Sequence, residues 1–358
     1  MSIGLEKLLL ERNHEVAFFS MQYPDNYASK WQSYFPSQVD FHAGGLKNIF
    51  NAAIRIFHSS EVEKQFTSLL NEFKPDIVHL NNVHSQISPI IGEIAHRKGI
   101  KVIWTLHDYK LVCPTYTCLR QGQLCELCFQ RPWSVLTKQC MKNSLFASLL
   151  AYLESLYWNK TRLEHMTDMF IAPSQFIKNT MIRAGFSEEK IQVLPNFTNR
   201  VFPKSCVTNR KEYYCFVGRL SPEKGVKTLI EAARKLPYEL IIIGDGPLRK
   251  ELFCNESRIR FVGFKEWKDI ATYVSEAKFL VVPSEWYEVF GLTNIESLSL
   301  GTPVLGANIG GIPELINETN GMLFEAGNVE DLREKIGQMF TRTFNYTDIC
   351  KMAREQYS

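Results

Sequence analysis

The chain has 358 residues, of which 45% are hydrophobic and 12% aromatic, and its formal net charge is +3. That is enough apolar material for two domains with separate cores, too much for a disordered chain, and too little charge to imply a nucleic-acid or membrane field. No stretch supplies the ~18 uninterrupted apolar residues of a membrane span; the nearest, 145–158, is short and carries Glu154. No signal peptide is read at the N-terminus, so a cytoplasmic location is expected. The nine cysteines are then expected to be thiols or metal ligands and not structural disulfides.

Apolar residues at Ile3, Leu5, Leu8 and Leu9 have helical spacing, and Val16–Phe19 reads as a strand. A Rossmann-like half should begin with a strand and a Gly-rich loop before its first helix, so the first strand of this half is expected to be missing. Residues 46–72 read as helical, Ile77–Leu80 as a strand, His84–Arg97 as a helix, and Lys101–Leu106 as a strand ending at His107-Asp108. Open α/β sheets place their ligands beyond the C-terminal ends of strands, which makes His107 a candidate site residue. Cys113, Cys118, Cys125, Cys128 and Cys140 follow. Cys125 and Cys128 have the C-x-x-C spacing of a tetrahedral metal site, and Cys113 and Cys140 each lie twelve positions outside that pair. Two readings stay open here: a structural zinc held by those four, with Cys118 left over, or free thiols in an irregular loop. Residues 145–170 read as one long helix with one face in the core; a surface toward a lipid-borne acceptor is the second reading. Phe170–Ala172 is a strand, Ser174 caps the next helix, and Ile191–Asn196 closes a first domain, 1–196. The polar stretch 197–211 is read as a linker.

The second domain, 212–340, opens on the strand Tyr213–Val217. Gly218-Arg219-Leu220-Ser221-Pro222-Glu223-Lys224-Gly225 and a helix over 226–236 follow. Gly218 permits a tight turn. Arg219 and Lys224 set two cations, a fork and a point charge, beside a helix N-terminus, which suits a diphosphate. Glu239–Ile243 is a strand turned by Gly244 and Gly246, and Ile259–Val262 is a strand leading to Gly263 and Phe264. A helix over 266–277 delivers the chain to the most informative stretch, Phe279–Gly311. An apolar strand stops at Pro283-Ser284. Gly291 lets the backbone bend, and Thr293 or Asn294 can cap a helix starting there. Such a helix start presents free N–H groups and a positive dipole end. Glu288 precedes it and Glu296 lies about one turn inside it, within reach of ribose hydroxyls if a phosphate binds at the start. A strand at Pro303–Gly306, a Gly310-Gly311 turn, a strand at 321–324, a helix over 329–340 and a short C-terminal helix within 341–358 complete the chain.

The Glu288/Glu296 pair is embedded in Pro283-Ser284, Phe290-Gly291-Leu292, Gly301-Thr302-Pro303-Val304 and Gly310-Gly311-Ile312-Pro313-Glu314. The whole resembles the nucleotide-sugar site of glycosyltransferase family 4, the retaining glycosyltransferases of GT-B fold. Gly218–Gly225 is similar to that family's phosphate-binding loop, and Thr105-Leu106-His107-Asp108 to a stretch whose histidine lies close to the donor sugar. The resemblance implies an α/β chain of two Rossmann-like domains, their parallel sheets facing across a cleft, with the donor held by the second and the acceptor by the first. It implies that Glu288 and His107 orient the donor sugar and Glu296 the ribose. Arg219 and Lys224 would neutralise the departing diphosphate, and the N–H groups of Phe290, Gly291 and Leu292 would meet its β-phosphate. Gly218, Gly244, Gly263, Phe264 and Thr293 would line the nucleotide cleft. The implied reaction retains anomeric configuration and needs no metal at the diphosphate and no catalytic cofactor; the leaving phosphate itself receives the acceptor proton. The implied partners are a nucleotide-sugar donor and a glycan, polysaccharide or lipid-linked acceptor, with no nucleic acid and with peripheral association at the inner face of a membrane. A Gly-Gly loop that similar enzymes carry upstream is absent, so a fragment retaining only nucleotide-sugar binding is the rival reading. A nucleotide-sugar epimerase or a glycogen-type phosphorylase is a third, the latter needing a cofactor lysine that no motif supplies.

Overall fold

The computed structural model describes residues 2–39, 55–84, 86–253 and 256–357. The first half runs α1 (Ser2–Glu11), α2 (Ser60–Phe73), β1 (Ile77–Asn81), α3 (Ile90–Arg97), β2 (Lys101–Thr105), β3 (Leu119–Arg120), β4 (Gln123–Leu124), α4 (Ser134–Thr137), α5 (Leu145–Tyr157), α6 (Lys160–Met166), β5 (Met169–Ala172), α7 (Gln175–Arg183) and β6 (Ile191–Val193). The second runs β7 (Tyr213–Val217), α8 (Val226–Ala233), β8 (Glu239–Ile243), α9 (Arg249–Leu252), β9 (Ile259–Gly263), α10 (Trp267–Glu276), β10 (Leu280–Val282), α11 (Leu292–Ser299), β11 (Val304–Ala307), β12 (Gly321–Phe324), α12 (Val329–Thr341) and α13 (Tyr346–Tyr357).

Parallel strands need crossovers, and helices supply them, so both faces of each sheet are covered and the strands read as apolar runs. Leu240–Ile243 and Leu280-Val281 are accordingly buried throughout. The first sheet has the order β1-β2-β5-β6 and the second β12-β11-β10-β7-β8-β9; both are parallel. Two Rossmann-like domains are thus present, as expected. The second order reverses direction between β7 and β10. Connections leave these two neighbours toward opposite faces, which opens a crevice at their C-terminal ends. Beneath the crevice, Tyr214 and Phe279 stack at 5.3 Å and are wholly buried; each such side chain contributes roughly 1.5–3 kcal/mol.

The two domains meet through hydrogen bonds that no local pattern announces. The Tyr109 hydroxyl donates to the Tyr287 carbonyl (3.1 Å), and Ser174 Oγ donates to the Val289 carbonyl (2.6 Å). The Glu314 carboxylate accepts from Gln175 N (2.7 Å) and Phe176 N (2.6 Å), placing its negative charge on the positive end of α7. Ser174 also caps that helix, as expected, accepting from Ile177 N at 3.3 Å.

Several expectations are corrected. Val16–Phe19 forms no strand and joins neither sheet; Phe19 packs on Phe66 at 4.9 Å instead. Of the helix expected over 46–72, residues 46–54 lie outside the described residues, and α2 starts afresh with Ser59 as its cap. The helix expected from His84 begins only at Ile90. Pro89 disfavours helical backbone in the residue before it, and Ser88 takes φ +73°. The long helix expected over 145–170 breaks at Trp158, where Asn159 caps α6. The buried face of α5 carries Ser148, Ala151 and Glu154, while Leu145, Phe146, Leu149, Leu153 and Leu156 are exposed. No described helix is long and apolar enough to cross a membrane. The expectation that no cysteine is bridged fails at Cys206 and Cys350, which form a disulfide. The C-terminal helix α13 lies along α11 and brings Cys350 to the connecting segment, where the Tyr357 carbonyl also accepts Thr198 N at 2.8 Å.

Candidate donor site

At the β7–β10 crevice two loops are knitted together. The first, 218–225, leaves β7 and ends at Gly225, whose φ is +65° and whose place allows no side chain: a Cβ there would stand 1.7 Å from the Pro283 carbonyl oxygen. That oxygen belongs to the second loop, 283–291, which leaves β10. Glu285 N donates to the Glu223 carbonyl at 2.9 Å, and Thr228 Oγ1 bonds the Glu285 carboxylate. The close approach brings Lys224 Nζ to 2.5 Å from Glu288 Oε1, with the ammonium 5.1 Å from the centroid of the Trp286 ring. Ser284 Oγ donates to the same carboxylate oxygen at 2.8 Å. Behind Glu288 the backbone is clasped by Gly310-Gly311. Gly311 N donates to the Glu288 carbonyl at 2.7 Å, and a Cβ on Gly310 would meet Glu288 N and O at 2.5 Å. The Gly-Gly turn is therefore a steric requirement for placing this carboxylate.

Beyond Glu288 the chain turns at Gly291 (φ +91°) into α11. Neither Thr293 nor Asn294 caps it. Both lie inside the helix, and Gly291, which has no side chain, holds the cap position. A start without a side-chain cap leaves N–H groups for an anion. Phe290 is buried, Leu292 and Arg219 are exposed, and Arg219 forms no ion pair among the described residues. The Asn294 carboxamide is fully buried and finds no hydrogen-bond partner among the described protein atoms. Glu296 points out of the first turns of α11 and pairs with Arg200 of the connecting segment, Nε to Oε1 3.0 Å. Burial, the largest influence, pushes the Glu296 carboxyl up, and Arg200 draws it back down. Gly218, Gly244 and Gly263 stand side by side at the ends of β7, β8 and β9: Gly218 N donates to the Ile243 carbonyl (3.0 Å) and Gly244 N to the Gly263 carbonyl (2.9 Å). Phe264 follows on the rim, 77% exposed.

On the other domain, His107 lies just past the end of β2. Its Nε2 meets Asn81 Oδ1 at 2.7 Å, while Asn81 Nδ2 donates to the His79 carbonyl at 3.5 Å. This assigns the proton to Nε2, because a carboxamide oxygen only accepts. Burial first, then neighbouring His79, hold the imidazole down to about 4. At neutral pH His107 is therefore uncharged and presents Nδ1 as an acceptor, which suits a sugar hydroxyl and excludes an imidazolium donor. The step from this strand end to the 283–291 loop is short in sequence: Tyr109, two residues on, is the one that bonds the Tyr287 carbonyl.

Among the described residues, no three His, Cys, Asp or Glu side chains stand where they could hold one metal ion, and Cys113, Cys125, Cys128 and Cys140 are free thiols. Cys125 N donates to the Cys118 carbonyl at 2.8 Å, and Cys118, the supposed leftover, is the cysteine hydrogen-bonded to Cys113. That bond draws the Cys113 thiol down to about 6 against its burial, and Thr115 Oγ1 adds a contact at 3.2 Å; burial pushes Cys128 up to about 12.

Asn81 and Arg200 were not marked by sequence reasoning, and Ser284 and Glu314 only as parts of the motif around the glutamate pair. Of the first two, Asn81 had a readable signal, since it ends a parallel strand beside the one that ends at His107.

A switch-point crevice with a cation–carboxylate pair and an open helix start, facing a second Rossmann-like domain, is the architecture of a GT-B glycosyltransferase. Residues 4–200, more than half of the chain, match the family model described as Glycosyltransferase Family 4, and residues 198–356 match Glycosyl transferases group 1. The chain belongs to glycosyltransferase family 4. It is 34% identical over 178 residues to an uncharacterized glycosyltransferase of Methanocaldococcus jannaschii, covering 48% of this chain and 49% of that protein. It is 28% identical over 266 residues to an uncharacterized 42.6 kDa protein in the cps region of Klebsiella pneumoniae, covering 72% of this chain and 64% of that one. The chain thus spans about half and just under two thirds of the length of these curated relatives. Among solved structures, the Anabaena protein HepE in complex with UDP matches with a TM-score of 0.60 at 20% identity, over 84% of this chain and 79% of that one. At that identity the likeness speaks for the fold.

Proposed function

We propose that this protein transfers a sugar from a nucleotide-sugar donor to a glycan, polysaccharide or lipid-linked acceptor, with retained anomeric configuration. The observation that carries the reading is the Lys224–Glu288 pair at the switch point, 2.5 Å apart beside a helix start that no side chain caps. In this reading the diphosphate takes Lys224 from Glu288, with Arg219 and the N–H groups of Phe290, Gly291 and Leu292 completing its shell. Glu288, freed, turns to the sugar hydroxyls. His107 accepts from the sugar, Glu296 receives the ribose, and Gly218, Gly244, Gly263, Phe264 and Thr293 border the base. The departing phosphate receives the acceptor proton, so no side chain acts as base. The domain over 212–340 holds the donor, the one over 1–196 the acceptor, and 197–211 joins them. Thermal unfolding with a panel of nucleoside diphosphates tests it, since a ligand bound only by the folded state raises the midpoint. One of them should give a shift that saturates; calorimetry showing no binding of any would end the reading. Product analysis by NMR reports the anomeric outcome.

The reading extends to peripheral association with the inner face of a membrane. The exposed arc of α5 holds Leu145, Phe146, Leu149, Leu153, Leu156 and Tyr157. Between residues 127 and 163 every charged side chain is basic except Glu154, which is buried against Lys110. An apolar arc framed by cations suits an anionic lipid surface. The protein should float with phosphatidylglycerol vesicles and less with neutral ones. Leu149→Glu with Leu153→Glu should abolish flotation; unchanged flotation of that variant would remove α5 from the argument.

A further inference from the structure

We propose that Arg200 is a specificity-determining latch on the donor site: it occupies the Glu296 carboxylate, and the ribose of an incoming nucleotide must take that carboxylate from it. The proposal rests on the reading of Glu296 as the ribose acceptor.

Three observations carry it. The first is the contact itself, a single Nε to Oε1 hydrogen bond of 3.0 Å, with the Arg200 side chain 45% exposed and that of Glu296 19% exposed. An ion pair open to water on one side is weak, whereas two ribose hydroxyls can donate to one carboxylate together. The exchange therefore runs in favour of the ribose without being free of cost. The second is that the backbone under Arg200 is fastened. Arg200 N donates to Thr198 Oγ1 (3.2 Å), Thr198 N to the Tyr357 carbonyl (2.8 Å), and Trp267 Nε1 to the Val201 carbonyl (3.1 Å). Further along, Cys206 is bridged to Cys350. A fixed backbone confines the exchange to the side chain. The third is that the guanidinium already lies over the Trp267 ring, 4.8 Å from its centroid. When Glu296 turns to the ribose, Arg200 keeps that aromatic face. The latch weakens retention of a nucleoside diphosphate after transfer and so favours its release. It acts on ligands with a ribose and not on the phosphate shell around Lys224.

Calorimetry on wild type, Arg200→Ala and Arg200→Gln, each with UDP, GDP and inorganic pyrophosphate, tests this, with thermal unfolding to confirm that the variants fold. Removing the cation alters the general field for all three anions alike, so the readout is the affinity ratio of nucleoside diphosphate to pyrophosphate. The ratio should rise about fivefold in both variants, roughly 1 kcal/mol. An unchanged or lowered ratio overturns the latch while leaving the donor site intact. Wild-type protein that binds no member of the nucleoside diphosphate panel overturns the underlying site reading, and the latch with it.

Discussion

Lys224→Ala should lower turnover at least a hundredfold while leaving the unfolding temperature within a few degrees of wild type. The two effects separate because the Lys224 ammonium plays two unequal parts. In the folded protein it pairs with Glu288 at 2.5 Å, with 27% of the Lys224 side chain exposed. A partly exposed pair contributes about 0–1 kcal/mol, and Glu288 keeps the Ser284 hydroxyl at 2.8 Å when the lysine is gone. In the proposed reaction the same cation would face charge that grows on the leaving diphosphate. Losing one fixed stabilising group of that kind costs on the order of 10²–10³ in rate, roughly 3 kcal/mol. Turnover with the donor identified by thermal shift, beside a melting curve, reads both numbers. A variant that turns over normally would remove Lys224 from the diphosphate. Lys224→Gln should behave like the alanine variant, since it restores length and hydrogen bonding without charge.

The legible part of this molecule is the part whose cause is local. Parallel strands buried on both faces leave apolar runs, and the turns at their C-terminal ends leave glycines. Tyr213–Val217 with Gly218, and Leu280–Val282 with Gly291, were therefore readable as site-bearing units. Glu288 and Glu296 flank one helix start, so their separation is a property of a single segment. Glu296–Arg200 is not: its partner is set by where the connecting segment crosses α11, and no spacing encodes that. The same holds for Glu314, which closes on α7 from the other domain, and for Cys118, which a hairpin carries to Cys113. Even within one element, periodicity shows that α5 has an apolar arc but not which way the arc faces. In the sequence Glu154 interrupts an apolar run; in the structure it lies on the buried side with Ser148 and Ala151.

That inversion makes Lys110→Met the substitution with the largest expected loss of stability. Lys110 Nζ lies 2.7 Å from Glu154 Oε2 and 2.9 Å from the Pro114 carbonyl, and both side chains are nearly closed to solvent, 12% and 9% exposed. Removing one member of a buried pair leaves an uncompensated charge, which costs about 3–5 kcal/mol. Burial already pushes the Glu154 carboxyl up, with Lys110 working against it. Without the lysine the shift grows. A carboxyl raised above its unfolded value favours the fold only while protonated, and that contribution is lost as pH rises through the folded value. Lys110→Met should therefore be closest to wild type in mildly acidic buffer and fall steadily behind it toward pH 8, as followed by urea unfolding. Lys110→Met with Glu154→Gln should recover most of the loss and flatten the pH dependence, because no buried charge is then left. A single variant as stable as wild type at pH 8 would mean that water reaches Glu154. The effect should also reach the site. Lys110 N donates to Asp108 Oδ1 at 2.8 Å in the turn that follows His107, so loosening Lys110 loosens the strand end that aims the imidazole.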